Sequence, residues 1–158
     1  MKTQPKQDVK RIASFSVDHD KIGVGIYVSR IDGDVTTYDL RTRVPNGGDY
    51  LSDVTMHSVE HMLATYLRNS DALDVVYFGP MGCKTGFYLL VRNAKNDVVL
   101  RALLHALRQT IDHKGKIFGS TRKECGNYRC LSLSAAKKEC SRYLKTLEST
   151  PQTFIYPQ

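Results

Sequence analysis

The sequence predicts an α+β fold in which helices pack on one face of a mostly antiparallel sheet. Three observations carry this. Two period-two segments flank Asp32-Gly33-Asp34, a strong hairpin signal. Three other stretches place apolar residues at helical spacing. Strands and helices do not alternate strictly, as a parallel sheet would need.

Taken in order, residues 1–10 read as a flexible arm, and residues 11–19 alternate only weakly. Residues 22–31 form the first strand, with Val24, Ile26 and Val28 at period two. The return strand covers 35–44, with Tyr38, Leu40, Thr42 and Val44 on one face and Thr37, Asp39, Arg41 and Arg43 on the other. Pro45-Asn46-Gly47-Gly48 ends it as a loop. Ser52 or Asp53 caps a helix running to about Asn69, with the stripe Val59, Met62, Leu63, Tyr66 and Leu67. Residues 72–79 read as a buried strand, residues 80–86 as a glycine-bounded turn, and residues 87–92 as another strand. Asn96 caps a second helix with Val99, Leu103, Ala106, Leu107, Thr110 and Ile111 on one face. Residues 114–128 are a loop. A third helix over 132–147 turns Leu133, Ala136, Cys140, Tyr143, Leu144 and Leu147 inward. Residues 11–150 thus form a single domain, and residues 151–158 a peripheral tail.

A chain of 158 residues can bury a real core. Its 41% hydrophobic and 25% charged residues are ordinary for a soluble globular protein. No apolar run approaches a membrane span, and residues 1–8 lack the apolar centre of a signal peptide, so a cytoplasmic protein without a membrane partner is expected. The net charge of +7 would suit nucleic acid, but the basic residues are dispersed and no nucleic-acid motif accompanies them. They read as solvated surface, and no nucleic-acid partner is expected. In a reducing compartment Cys83, Cys125, Cys130 and Cys140 read as thiols rather than disulfides.

The chemistry centres on His57-Ser58-Val59-Glu60-His61. In a helix the two imidazoles lie one turn apart on one face and can reach one metal ion. Glu60 then stands close enough to act on a metal-bound group without ligating it. This His-x-x-Glu-His order is that of inverted zinc peptidases. A lone helical histidine would read as a satisfied core residue; the full pattern reads as a metal site. The third ligand remains open among Cys125, Cys130, His105, His113 and Glu139. Cys125 precedes Gly126, which lets the backbone turn the sulfur toward a metal, although alone it reads equally well as a small buried apolar residue. A His-His-Cys set leaves a fourth position for water or substrate. Glu139 is the ligand a peptidase would need, yet beside Lys137 and Lys138 it reads as a solvated carboxylate. Cys83, on a tight turn next to Lys84, is a candidate acid or base. Arg41, mid-strand on the polar face, reads as a solvent residue unless that face lines a pocket, where it can pair with a thiolate or carboxylate.

The set resembles the S-ribosylhomocysteine lyase family, LuxS. The matching pieces, in order, are Ser14-Phe15-Ser16-Val17-Asp18-His19; Tyr38-Asp39-Leu40-Arg41 with Pro45-Asn46; His57-Ser58-Val59-Glu60-His61; Pro80-Met81-Gly82-Cys83-Lys84-Thr85-Gly86-Phe87-Tyr88; and Glu124-Cys125-Gly126-Asn127. They cover about residues 11–147. The resemblance implies cleavage of S-ribosylhomocysteine to homocysteine and 4,5-dihydroxy-2,3-pentanedione, the autoinducer precursor. It implies one divalent metal per subunit, usually Fe(II), with zinc or cobalt as substitutes, held by His57, His61 and Cys125. It casts Glu60 and Cys83 as the acid–base pair, Arg41 as support for the Cys83 thiolate, and Ser14 and His19 as substrate-holding residues. It also implies a homodimer with its sites at the subunit interface. Tyr77, where many members carry aspartate, departs from the pattern, as do the loop Ile117-Phe118-Gly119 and Cys130. The competing reading is a small metallopeptidase using His57, His61 and Glu139.

Overall fold

The structure, a computed structural model, describes residues 9–158. Most of the expected N-terminal arm, residues 1–8, lies outside the described residues.

The first hairpin forms where the Asp-Gly turn places it. β1 (Gly25–Asp32) pairs antiparallel with β2 (Val35–Arg41), and Gly33 takes a positive φ of 61° between them. β2 stops earlier than alternation suggests, because the Thr42 and Arg43 amides both leave the ladder and donate to the Thr85 carbonyl. A second hairpin joins β3 (Asp74–Pro80) to β4 (Gly86–Arg92), and β4 pairs with β2, giving one antiparallel sheet in the order β1-β2-β4-β3. At Gly86 the two hairpins meet so closely that a Cβ would lie 2.4 Å from the Leu40 carbonyl oxygen. β3 is not the buried strand its composition suggests. It is an edge strand whose register shifts between Val75 and Tyr77, so Val76 and Tyr77 are exposed.

Three helices cover one face of the sheet. α1 (Asp53–Arg68) begins at Ser52, whose hydroxyl accepts from the Thr55 amide, and α3 (Leu133–Ser149) begins at Ser132, whose hydroxyl accepts from the Ala135 amide. α2 (Asn96–Asp112) starts differently from expectation. Asn96 is already helical, and its Oδ1 accepts from the Tyr38 hydroxyl at 2.7 Å, tying the helix to the sheet rather than capping it. The core interleaves Ile26, Tyr38, Leu40, Phe87 and Leu89 of the sheet with Val59, Met62 and Leu63 of α1, Leu103 and Leu107 of α2, and Cys140 and Tyr143 of α3, all nearly or fully buried. Burying each such side chain contributes ~1.5–3 kcal/mol. Among the described residues no helix is long and apolar enough to cross a membrane.

The opposite face of the sheet is also partly covered, which a polar strand face does not announce. Asp39 and Arg41 are 1% and 3% exposed. The segment after Pro151, expected to be peripheral, instead closes over the outer edge of β1. Gln152 Oε1 accepts from the Ile26 amide at 3.0 Å, and the Phe154 carbonyl accepts from the Val28 amide at 2.8 Å. The Tyr156 ring then stacks on Tyr27 with centroids 4.9 Å apart.

Candidate metal centre

α1 carries His57, Glu60 and His61 on consecutive turns, and the two imidazole centroids are 4.5 Å apart. Each ring is fixed from behind by a backbone carbonyl. His57 Nδ1 lies 2.8 Å from the Cys130 oxygen, and His61 Nδ1 lies 2.7 Å from the Phe118 oxygen. A carbonyl only accepts, so both Nδ1 atoms carry the proton and both Nε2 lone pairs are free for a metal. The Phe118 carbonyl reaches His61 because Gly119 follows at φ 64°. A Cβ there would stand 3.1 Å from His61 Nδ1.

The segment between α2 and α3 brings the sulfur. Thr121 to Glu124 closes a turn in which Glu124 Oε2 accepts from both the Thr121 amide and hydroxyl, and the Cys125 amide donates to the Thr121 carbonyl. The Thr121 contacts, with His61 a lesser influence, hold the Glu124 carboxyl below the usual range. Cys125 Sγ stands 3.4 Å from His57 Nε2 and receives the Asn127 amide at 3.4 Å. Further along, Ser58 Oγ accepts from the Ser132 amide at 2.8 Å while donating to the Val54 carbonyl. Phe118, Cys130 and Ser132 thus pin the segment to α1 at three successive points.

Among the described residues, His57, His61 and Cys125 form the one group of three potential ligands, with donor atoms within 4.8 Å of one another. Two imidazole nitrogens and a cysteine sulfur suit a borderline divalent ion. The other candidates for third ligand are placed elsewhere. Cys130 offers its carbonyl to His57. His113 lies between the Tyr66 hydroxyl and the Lys116 carbonyl, and His105 is exposed on α2. Glu139 corrects the reading from its neighbours. It is not solvated but 4% exposed and ion-paired with Arg43, a partner that the lysines beside it gave no hint of.

Cys83 sits in the turn after β3, exposed, with a chain of polar groups behind it. Arg41 is not a solvent residue. Its Nε and Nη2 clasp Asp39 at 3.0 and 2.6 Å, while Nη1 donates to Thr85 Oγ1 at 2.7 Å and lies 3.9 Å from Cys83 Sγ. Burial opposes its charge, but Asp39 more than offsets this and raises the Arg41 pKa. Lys84, next to Cys83 in sequence, pairs with Asp53 at 2.7 Å. Ser14 and His19 meet Asp39, Arg41, Tyr88 and Tyr156 around one small cavity on this face. His19 Nδ1 is engaged by the Val17 carbonyl at 2.9 Å. Glu60 is half-buried on α1. The partners of Arg41 could have been found from the i, i+2 placement of opposite charges at Asp39 and Arg41; the two carbonyls behind the histidines leave no mark in the sequence.

Three potential donors rather than four, two from one helix and one from a glycine-flanked loop, are the donor set that a metal site of the catalytic kind would use. Comparison with known proteins is specific. The profile of S-Ribosylhomocysteinase (LuxS) matches residues 12–153. The chain is 39% identical over 156 residues to the S-ribosylhomocysteine lyase of Finegoldia magna, covering 95% of this chain and all of the relative. It is 40% identical over 157 residues to that of Borreliella afzelii, covering 94% of this chain and all of the relative. With the Desulfotalea psychrophila enzyme it shares 43% identity over 144 residues, covering 85% and 89% of the two chains. The chain belongs to the LuxS family.

Proposed function

We propose that this chain cleaves S-ribosylhomocysteine to homocysteine and 4,5-dihydroxy-2,3-pentanedione by carbonyl migration followed by β-elimination. The observation that carries this reading is the convergence of His57, His61 and Cys125 within 4.8 Å in a chain of this family. These three residues would hold one divalent ion, Fe(II) by family resemblance, with zinc or cobalt able to replace it. When bound, the ion supplies Lewis acidity toward the sugar's carbonyl oxygen.

The chain's own groups move the protons. Glu60 and Cys83 serve as the pair that takes a proton from one carbon of the open ribose and returns it to the next, so the carbonyl passes from C1 to C2 and then to C3. With the carbonyl at C3, removal of the C4 proton expels the homocysteine thiolate from C5, because the sulfur is then β to the carbonyl. The enol that remains becomes the dione. Arg41, oriented by Asp39, supports the Cys83 thiolate, and Thr85 stands 3.0 Å from the same sulfur. Ser14 and His19 hold the substrate.

The same reading assigns a homodimer with each site completed at the subunit interface, acting in the cytoplasm and serving autoinducer synthesis and the methyl cycle. An exposed groove on the face of the sheet opposite α1, α2 and α3, lined by Ile12, Ser14, Thr37, Tyr77, Tyr88 and Leu90, supports a partner surface there. The peptidase alternative lacks its ligand, since Glu139 is committed to Arg43. Homocysteine release from S-ribosylhomocysteine, measured with a thiol reagent beside peptide cleavage, tests the function. Chelator-sensitive thiol release is expected, whereas peptide hydrolysis without it overturns the reading. Light scattering tests the dimer.

A further inference from the structure

The tail that closes over β1 ends at the cluster behind Cys83. Tyr156 Oη donates to Asp39 Oδ2 at 2.7 Å, on the same carboxylate that clasps Arg41. Burial first, and then the Asp39 charge, raise the Tyr156 pKa far above physiological pH, so the phenol stays a donor. The bonds run in one direction. Tyr156 and two Arg41 nitrogens donate to Asp39. The third Arg41 nitrogen donates to Thr85 Oγ1, which leaves the Thr85 proton free for the Cys83 sulfur 3.0 Å away. When the sulfur is protonated, the same hydroxyl oxygen can accept instead. Thr85 can therefore follow Cys83 through both protonation states, provided Arg41 keeps its third nitrogen in place.

We propose that Tyr156 is a positioning residue for Cys83, acting through Asp39, Arg41 and Thr85, and that residues 152–156 are the strap that delivers it. The proposal rests on the acid–base role given to Cys83 above. The strap is anchored independently of its tip. Gln152 and Phe154 are bonded to β1, and the space for Gln152 exists because residue 25 is glycine. A Cβ at Gly25 would lie 2.8 Å from Gln152 Oε1. Without the phenol, Asp39 loses one of its three donors, and the nearly dry pair it makes with Arg41 readjusts next to the reacting thiol.

The test is Tyr156→Phe in the metal-loaded enzyme, since phenylalanine keeps the ring that stacks on Tyr27. Thermal midpoint and metal content should match wild type. Alkylation of Cys83 by iodoacetamide at neutral pH, followed by peptide mass spectrometry, should slow ~3–10-fold. The value of kcat should fall about tenfold with KM within about twofold, as for loss of one hydrogen bond to a charged group. The pH profile of kcat/KM should shift. On an Asp39→Asn background the same substitution should add little, because both act through one carboxylate. Wild-type alkylation and kcat in Tyr156→Phe, or full additivity with Asp39→Asn, overturns the role of the strap. If Cys83→Ala loses turnover while Tyr156→Phe behaves as wild type, only the strap is refuted. Wild-type turnover in Cys83→Ala overturns the role of Cys83 and that of Tyr156 with it.

Discussion

At the scale of single residues, the proposed function assigns ligands and proton carriers to different side chains, and substitution should separate them. Cys125→Ala should lose the metal by elemental analysis; full occupancy would show that the Cys125 sulfur is not a ligand. Cys83→Ala and Glu60→Gln should keep the metal and lose ~10²–10⁴-fold in turnover. Metal loss in either would contradict the division of roles. Gly119→Ala is the subtler case. It forces a side chain into positive φ and against His61, so competition with a chelator should show metal affinity down ~10–100-fold. The helix pair His57 and His61 was legible in the sequence because helical spacing alone puts them together. The Phe118 and Cys130 carbonyls were not, since any residue supplies one. Asp39 was half-legible, as a charge on the same strand face as Arg41.

At the scale of elements, the segment between α2 and α3 owes its shape to α1. Ser58, inside the histidine motif, is fully buried and serves as acceptor for the amide that opens α3. Ser58→Ala leaves that amide unsatisfied and should destabilise the fold by about 1–3 kcal/mol in urea unfolding, with the segment showing faster amide exchange. A stability within a few tenths of wild type would show that water substitutes for the hydroxyl. The helices were well read from apolar periodicity, and the first also from Ser52, whose capping role is local. Strand limits were not. β2 ends because Thr85, distant in the chain, offers a carbonyl to Thr42 and Arg43. β3 is composed like a buried strand and lies at the sheet edge, and composition does not record which neighbour a strand receives.

At the scale of the whole molecule, pairings between distant segments dominate, and these were the least legible. Glu139 sits among lysines in sequence, yet folding sets it against Arg43, just beyond β2. Glu139→Ala strands a buried guanidinium and should cost about 3–5 kcal/mol, measured by urea unfolding. Stability within 1 kcal/mol of wild type would mean that nearby Asp49 compensates. The core also predicts an alkaline limit. Burial first, then the charge of Glu139, push the Cys140 thiol from 9.0 up to about 12. A raised pKa favours the protonated form in the folded state. Its stabilising effect is therefore complete below pH 9 and lost as pH rises toward 12. Unfolding free energy should decline across this window, and Cys140→Ala should flatten the decline; an unchanged slope would assign it to other groups.

The closure of β1 by the tail bears on how the protein is made. The first strand emerges early from the ribosome, but Gln152, which satisfies its Ile26 amide, is translated 126 positions later. Until then the outer margin of that strand presents bare amides to its surroundings. Prematurely terminated products should carry this sticky border and associate with one another, while chains released at full length should not.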